Sequence, residues 1–311
     1  MAEVDVVNEL SPARRSGIDE FLTTLSRSVR GDGRPGHECE RLDDHLLLDL
    51  RHGPRPGFVA ALAHDGERLV GYAQASTSAR GHVVDSVVAP DAGEHLRADL
   101  LRPLLDALPA DSHVTWWAHD DDRRLAESLG LSSGRRLLQM RVDLPLDVPH
   151  EQLATRSFVV GEDEAEWLEV NNAAFAWHHE QGAWDLDTIQ QRELEPWFDP
   201  QGFRVLEMDG RIAGFCWTKV HAAAEPQSRG PVGEIYVVAV HPTHRGTGLG
   251  RALTLAGIDH LERVGARACM LYVDADNAPA VGVYAALGFH AVHAEQAFVR
   301  DGTHDSASRP R

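Results

Sequence analysis

The stretch GEIYVVAVHPTHRGTGLGRALTLAG, residues 233–257, decides how the rest of the chain is read. Ile235 to Val240 is an unbroken apolar run rich in valine, the pattern of a strand buried on both faces. Pro242 stops it, because proline has no N–H to continue a ladder. Three glycines follow between His244 and Arg251, and an apolar-periodic stretch of helical length runs from Gly248 to Val264. Strand, glycine turn and helix in immediate succession gather unpaired backbone amides at the positive end of a helix dipole, which is an anion site. A pyrophosphate suits it. The spacing is neither the dinucleotide Gly-x-Gly-x-x-Gly nor a P-loop, since no Lys-Ser/Thr follows. It is Arg245-x-x-Gly248-x-Gly250, with Arg245 and Arg251 adding positive charge.

Outward from this stretch the same order of events occurs twice. Residues 58–76 (FVAALAHDGERLVGYAQAS) read as a strand, a turn at Asp65-Gly66 and a second strand; residues 203–220 (FRVLEMDGRIAGFCWTKV) repeat it with a turn at Asp209-Gly210. A β-branched run ending in proline comes next in both, HVVDSVVAP at 82–90 and EIYVVAVHP at 234–242. Helical patterns at 96–108 and 248–264, strands at 114–118 and 268–273, and a short helix ending in Leu129-Gly130 or Leu287-Gly288 lead each time into a last strand. A tandem duplication is the expectation, with repeats at 1–149 and 150–300 separated near Pro145, Pro149 and the polar stretch 150–155. The aperiodic tail 301–311 is expected to be disordered.

The 311 residues are 43% hydrophobic and 25% charged, enough to build two real cores and too apolar for global disorder. A formal net charge of −18, from 30 Lys+Arg against 48 Asp+Glu, repels polyanions, so nucleic acid is not an expected partner. Cys39, Cys216 and Cys269 are odd in number and far apart, against a disulfide framework or a structural zinc site. The 18 histidines are scattered and form no His-rich tract, and no metal is expected. Residues 1–10 are acidic and no run of about 18 apolar residues occurs, so a cytoplasmic chain without membrane attachment, and a monomer, are expected.

The Arg245-x-x-Gly248-x-Gly250 loop after a proline-ended strand resembles the signature of the GCN5-related N-acetyltransferase (GNAT) superfamily, and Tyr284-x-x-Leu287-Gly288-Phe289 resembles its closing motif. The resemblance implies an α/β fold of two tandem GNAT domains, each a mixed, mostly antiparallel sheet flanked by helices, with the fourth and fifth strands splayed around a pantetheine arm. Asn171-Asn172-Ala173-Ala174-Phe175-Ala176, Glu180-Gln181-Gly182, Trp197 to Pro200, Trp217 to His221 and Gly233 to Val237 are similar to the superfamily's tandem mycothiol synthase family. That implies transfer of acetyl from acetyl-CoA to the cysteinyl amine of Cys-GlcN-Ins, the last step of mycothiol synthesis.

Carried over position by position, the resemblance assigns acetyl-CoA to Val238, Ala239 and Val240, to Arg245, Gly246, Thr247, Gly248, Leu249, Gly250 and Arg251, and to Asn277, Ala278, Pro279, Ala280, Val281 and Gly282. Glu234, a carboxylate opening an apolar strand, is the expected general base, and Tyr284 the general acid. Substrate contacts fall to Glu234, Glu180, Lys219 and Tyr272, and to Glu38 from the first repeat, where Glu40 competes because the local spacing is off by one. Attack by the amine is direct, so Cys216 and Cys269 pack the core. Trp167, Trp177, Trp184 and Trp197 pack a core or lid, since no basic residues interleave with them as a nucleic-acid surface needs.

The first repeat departs from the pattern. Aligning Pro90 with Pro242 puts His82 opposite Glu234 and Leu96 opposite Gly248, and aligning the Leu-Gly pairs puts Ala126 opposite Tyr284. Asp91 and Glu94 would face a pyrophosphate. One acetyl-CoA per chain is expected, the first repeat serving structure and one wall of the substrate cleft. Two other readings stay open: an N-acetyltransferase for another small-molecule or peptide amine, and a non-catalytic acetyl-CoA sensor.

Overall fold

A computed structural model describes residues 2–28, 44–78, 80–93, 95–177, 181–221 and 230–302. The expected disordered tail lies, beyond Gly302, outside the described residues. Two compact units emerge: Met1–Arg136 with Glu295–Arg311, and Leu137–Ala294.

The first unit contains β1 (Glu3–Val7), α1 (Pro12–Ser28), α2 (Asp44–His52), β2 (Val59–Asp65), β3 (Arg68–Ser78), β4 (Gly81–Val88), α3 (Leu96–Ala107), β5 (His113–Ala118), α4 (Arg123–Ser128) and the start of β6 (Ser132–Asp143). The second holds the rest of β6, then β7 (Arg156–Ser157), α5 (Glu164–Ala174), α6 (Leu186–Glu193), β8 (Phe203–Met208), β9 (Arg211–His221), β10 (Val232–Val240), α7 (Leu249–Arg263), β11 (Ala268–Asp274), α8 (Ala278–Ala286) and the start of β12 (His290–Arg300). Both are mixed sheets flanked by helices, the expected fold class. In the first, β1 to β5 lie in sequence order and Gln296–Arg300 of β12 pairs antiparallel with β5. In the second, β7 to β11 lie in sequence order and Leu137–Asp143 of β6 pairs antiparallel with β11. Each unit therefore takes the strand beside its parallel pair from a distant part of the chain.

The β8–β9 turn has positive φ at both Asp209 (53°) and Gly210 (73°), as a two-residue primed turn requires. In the first hairpin β2 runs through Asp65 and only Gly66 is left-handed (φ 61°), so the turn falls one residue later than the sequence suggests. Both hairpins carry a register slip just before the turn, between Ala63 and His64 and between Leu206 and Glu207; the first differs in having its glycine at the first of the two turn residues, where that residue alone takes positive φ.

In both units the parallel pair seen among the described residues opens partway. β4 meets β5 over Gly81 to Val84 and β10 meets β11 over Val232 to Ile235, after which β4 and β10 run on without that neighbour. The second unit adds a bulge: β9 and β10 shift register between Ile235 and Val237, whereas β3 and β4 pair without interruption. On one face of the second sheet α7 and α8 cover an apolar cluster around Cys216, Ile235, Leu253, Leu261 and Phe289. On the other, α5 and α6 cover aromatic residues, with Trp167 edge-on to Phe203, Phe215 and Trp217.

α7 lies close to the sheet because Gly257 has no side chain. A Cβ there would stand 2.4 Å from Cys216 Sγ and 3.1 Å from Ile235 Cδ1. Alanine is the better helix former by about 1 kcal/mol, but overpacking costs about 1–3 kcal/mol. Gly257→Ala is therefore expected to lower the thermal midpoint, and adding Cys216→Ala, which removes the obstructing sulfur, to restore part of it; a stabilised single variant would refute the close packing.

Candidate functional site

On β10, Glu234 stands directly opposite Lys219 of β9 and beside Met270 of β11. Alternation along the strands puts His221 and Tyr272 on the same face. Glu234 is 7% exposed and Lys219 5%, so both charges need partners to offset lost hydration. His221 Nε2 lies 2.6 Å from Glu234 Oε2. The Lys219 ammonium sits 4.6 Å above the Trp197 ring and 5.7 Å from that of Tyr236, a cation–π arrangement. Tyr236 OH in turn accepts from Arg192 Nε at 3.0 Å, and the Arg192 guanidinium lies 3.9 Å over Trp184. Tyr272 is 40% exposed, and its OH accepts from Gln139 Nε2 at 2.9 Å. The result is a polar patch on an otherwise apolar sheet, with a carboxylate, an ammonium, an imidazole and a phenol.

Tyr284 lies in α8, its ring 6.0 Å from that of Phe289. Gly288 (φ 92°) closes the helix, and Phe289 N–H donates to Tyr284 C=O at 3.0 Å, which fixes the backbone of the tyrosine. Burial pushes its phenol well above the ordinary tyrosine range, so it keeps its proton throughout the neutral and mildly alkaline range. Cys216 and Cys269 are fully buried. Burial pushes the Cys216 thiol up to about 12 and the Cys269 thiol well above its usual value, leaving both protonated and unfit as nucleophiles.

The glycine loop between β10 and α7 is open and partly left-handed. Gly246 (φ 79°) and Gly248 (φ 85°) are left-handed, and no heavy atom lies within 4 Å of where a Cβ would stand on Gly246, Gly248 or Gly250. The α7 ladder starts with Ala252 N–H to Gly248 C=O at 3.2 Å, so the amides of Leu249, Gly250 and Arg251 lie ahead of the first helical bond. Thr247 Oγ1 donates to His244 C=O at 2.7 Å, and Arg245 Nη2 donates to Ala174 C=O at 2.6 Å, tying the loop to the end of α5. One edge of Val238, Ala239 and Val240 is paired with Cys216, Phe215 and Gly214, while the other borders the gap left by β11. Asn277 caps α8, its Oδ1 accepting from Ala280 N–H at 3.3 Å, so Ala278, Pro279, Ala280, Val281 and Gly282 form the first turns of that helix. Open space, free amides and left-handed glycines suit a pyrophosphate.

The described residues of the first unit do not repeat this arrangement. The bulge beside Tyr236 shifts the expected alignment by one: Val83, paired with Thr115 and Ser76 as Glu234 is with Met270 and Lys219, holds the register position of Glu234, and His82 holds that of Gly233, its ring nitrogens 2.7 Å from Ser112 Oγ and 3.1 Å from Gly57 O and its pKa lowered by burial. Leu96 N–H already donates to Gly93 C=O at 3.0 Å, and Asp91 is paired with Arg68 at 2.8 Å. Leu131 N–H donates to Ala126 C=O just as Phe289 N–H does to Tyr284, so alanine occupies the tyrosine's place.

Of the expected contacts, Glu38, its competitor Glu40 and Glu180 lie outside the described residues, as does Cys39. Trp167 and Trp184 are buried in the aromatic core, Trp197 flanks Lys219, and Trp177 is exposed. His221 and Gln139 had no role in the sequence reading. For His221 the signal was present: it alternates with Lys219 on a strand, so it shares that face. Asn171 and Asn172 prove to anchor the segment after them, Asn171 Nδ2 donating to Gln181 C=O at 2.9 Å and Asn172 Nδ2 to Trp184 C=O at 2.8 Å. Among the described residues no cluster of three His, Cys, Asp or Glu could hold a metal ion, and no helix is long and apolar enough to cross a membrane.

The acetyltransferase (GNAT) family model matches residues 166–289. The chain is 45% identical over 282 residues to mycothiol acetyltransferase of Thermobispora bispora, spanning 87% of this chain and 92% of that protein. It is 42% identical over 293 residues to mycothiol acetyltransferase of Kocuria rhizophila (89% and 94%) and 41% over 299 to that of Streptomyces coelicolor (92% and 91%). In fold it is similar to a GCN5-related N-acetyltransferase from Sphaerobacter thermophilus, with TM-score 0.64, 23% identity and coverage of 96% of this chain and 95% of that one. A tandem GNAT protein from the clavulanic acid biosynthesis pathway matches with TM-score 0.65, 18% identity and coverage of 96% and 98%.

The loop separates its glycines by conformation. Forcing a Cβ into the left-handed region at Gly248 costs about 1–2 kcal/mol, whereas Gly250 has an ordinary φ and open space beside it. Calorimetric titration with acetyl-CoA is expected to show binding weakened roughly tenfold in Gly248→Ala and little changed in Gly250→Ala; equal effects would remove the conformational argument.

Proposed function

This chain belongs to the mycothiol acetyltransferase family, and on that premise we propose that it acetylates the cysteinyl amine of Cys-GlcN-Ins with Glu234 as general base and Tyr284 as general acid. It is an acetyl-CoA-dependent acetyltransferase acting in mycothiol biosynthesis. The observation that carries the catalytic reading is the buried Glu234 on a polar patch of the sheet, where β10 is about to part from β11.

Bound acetyl-CoA supplies the acetyl group. Arg245 and the amides from Gly246 to Arg251 hold its pyrophosphate, the free edge of Val238 to Val240 receives the pantetheine arm, and residues 277–282 border it. The substrate amine is largely protonated near neutral pH, so it must lose a proton before it can attack. Glu234 takes that proton. Tyr284, its phenol kept protonated by burial, holds a proton for the departing thiolate. Lys219 and Tyr272 present an ammonium and a half-exposed phenol to the hydroxyls of a neutral sugar-inositol, and Glu180 and Glu38 complete the set. Residues 1–149 act as a structural repeat that binds acetyl-CoA weakly or not at all, for want of the glycine loop, and residues 150–300 as the catalytic one.

The test is CoA thiol release with acetyl-CoA and a panel of Cys-GlcN-Ins, GlcN-Ins, free cysteine and a polyamine. Selective turnover of Cys-GlcN-Ins is expected, falling about 100- to 10,000-fold in Glu234→Gln and substantially in Tyr284→Phe. Turnover of another amine alone would overturn the acceptor, and an unimpaired Glu234→Gln would overturn the base.

A further inference from the structure

A carboxylate that takes a proton from a substrate amine must turn one oxygen to it, and the three side-chain torsions of a glutamate do not by themselves fix where its oxygens point. Lys219, directly across the strand pair, has its ammonium over the rings of Trp197 and Tyr236. Among the described residues the side chain hydrogen-bonded to the Glu234 carboxylate is His221, 2.6 Å from Oε2. An ionised carboxylate can only accept, so His221 Nε2 is the donor. A hydrogen bond this short holds one carboxylate oxygen and so sets the direction of the other.

We propose that His221 is a positioning residue for acetyl transfer: its Nε2–H holds Glu234 Oε2 and leaves Oε1 to take the proton of the substrate amine. The inference rests on the reading of Glu234 as base. The bonding is balanced without any new group. An N–H bond of the ammonium breaks as an O–H bond forms at Oε1, and the His221 N–H stays on its nitrogen. His221 belongs to neither apolar cluster of its unit and its side chain is 19% exposed, so its removal opens no cavity in the core.

The experiment compares His221→Ala, His221→Gln, Glu234→Gln and the double variant His221→Ala/Glu234→Gln, reading kcat, KM for both substrates and the thermal midpoint. Loss of a hydrogen bond to a charged group corresponds to about a 10- to 100-fold loss in rate. That fall is expected in kcat for His221→Ala, with KM for acetyl-CoA unchanged. His221→Gln restores a neutral N–H donor and is expected to recover most of the rate. The double variant is expected to be no slower than Glu234→Gln, because His221 acts only through that carboxylate. Wild-type kcat in His221→Ala, no recovery in a folded His221→Gln, or additive losses in the double variant would each overturn the proposal. If the alanine variant fails to fold, the glutamine variant alone decides, since it carries the donor without the ring. Full activity in Glu234→Gln would instead sink the base reading itself, so the two failures are distinct.

Discussion

Everything in the second unit follows from where β10 lets go of β11. Four residue pairs hold the two parallel strands together, from Val232 with Ala268 to Ile235 with Leu271, and then β10 continues to Val240 with β9 as its only neighbour. Backbone N–H and C=O groups left without a strand must be satisfied some other way. A ligand laid along that edge can do so, which is why the parted strand, more than any single side chain, defines the site. Glu234 sits among the last pairs before the gap, the bulge at Tyr236 turns the backbone there, and the loop of Gly246 and Gly248 lies just past the strand's far end. The proposed base, the parted strand edge and the glycine loop thus succeed one another along about fifteen residues of one strand and turn.

Much of this was legible because it depends on local chemistry. Proline after a β-branched run, glycine where φ must be positive and Asp-Gly between alternating apolar residues each act within a few positions, and so they survive as pattern. Glu234 was legible as a charge that an apolar strand does not need. Other features depend on partners distant in sequence. Nothing near Leu137–Asp143 says that this strand lies against β11, because β-pairing is chosen by which edges remain free once the sheet assembles. The bulge beside Tyr236 and the slip at His64 are similarly invisible, since each is a mismatch between two strands and belongs to neither alone. His221 falls between the two cases: its face was legible from alternation with Lys219, but its contact with Glu234 required the distance.

The first unit shows that the same backbone plan does not suffice. It has the parallel pair, the opening beyond it, the helix and the closing Leu-Gly turn, yet each chemical position has been filled differently. Val83, in the Glu234 position, is apolar, and His82 beside it has both ring nitrogens against Ser112 and Gly57; the first amide of α3 is consumed by Gly93; Ala126 has no hydroxyl. These are self-satisfied groups, the condition of a protein interior that has no ligand to wait for. A site needs the opposite, polar groups left partly available at a tolerable cost. The second unit keeps its amides ahead of the first α7 bond and its Tyr272 half exposed for that reason.

That contrast raises the question of why a repeat without such chemistry persists, and the strand order supplies a physical reason. The outer edge of β11 is covered by Leu137–Asp143, which by sequence pattern closes the first repeat, while the outer edge of β5 is covered by Gln296–Arg300, from the end of the second. A bare strand edge is an invitation to pair with another chain, and here both edges are covered only by strands that the pattern assigns to the other repeat. A cut near residue 150 would uncover β11, and with it the neighbour that fixes Met270 and Tyr272 beside Glu234. Catalytic groups in the first repeat can be lost one side chain at a time, but its closing strand cannot, because the sheet that carries the active chemistry is built on it.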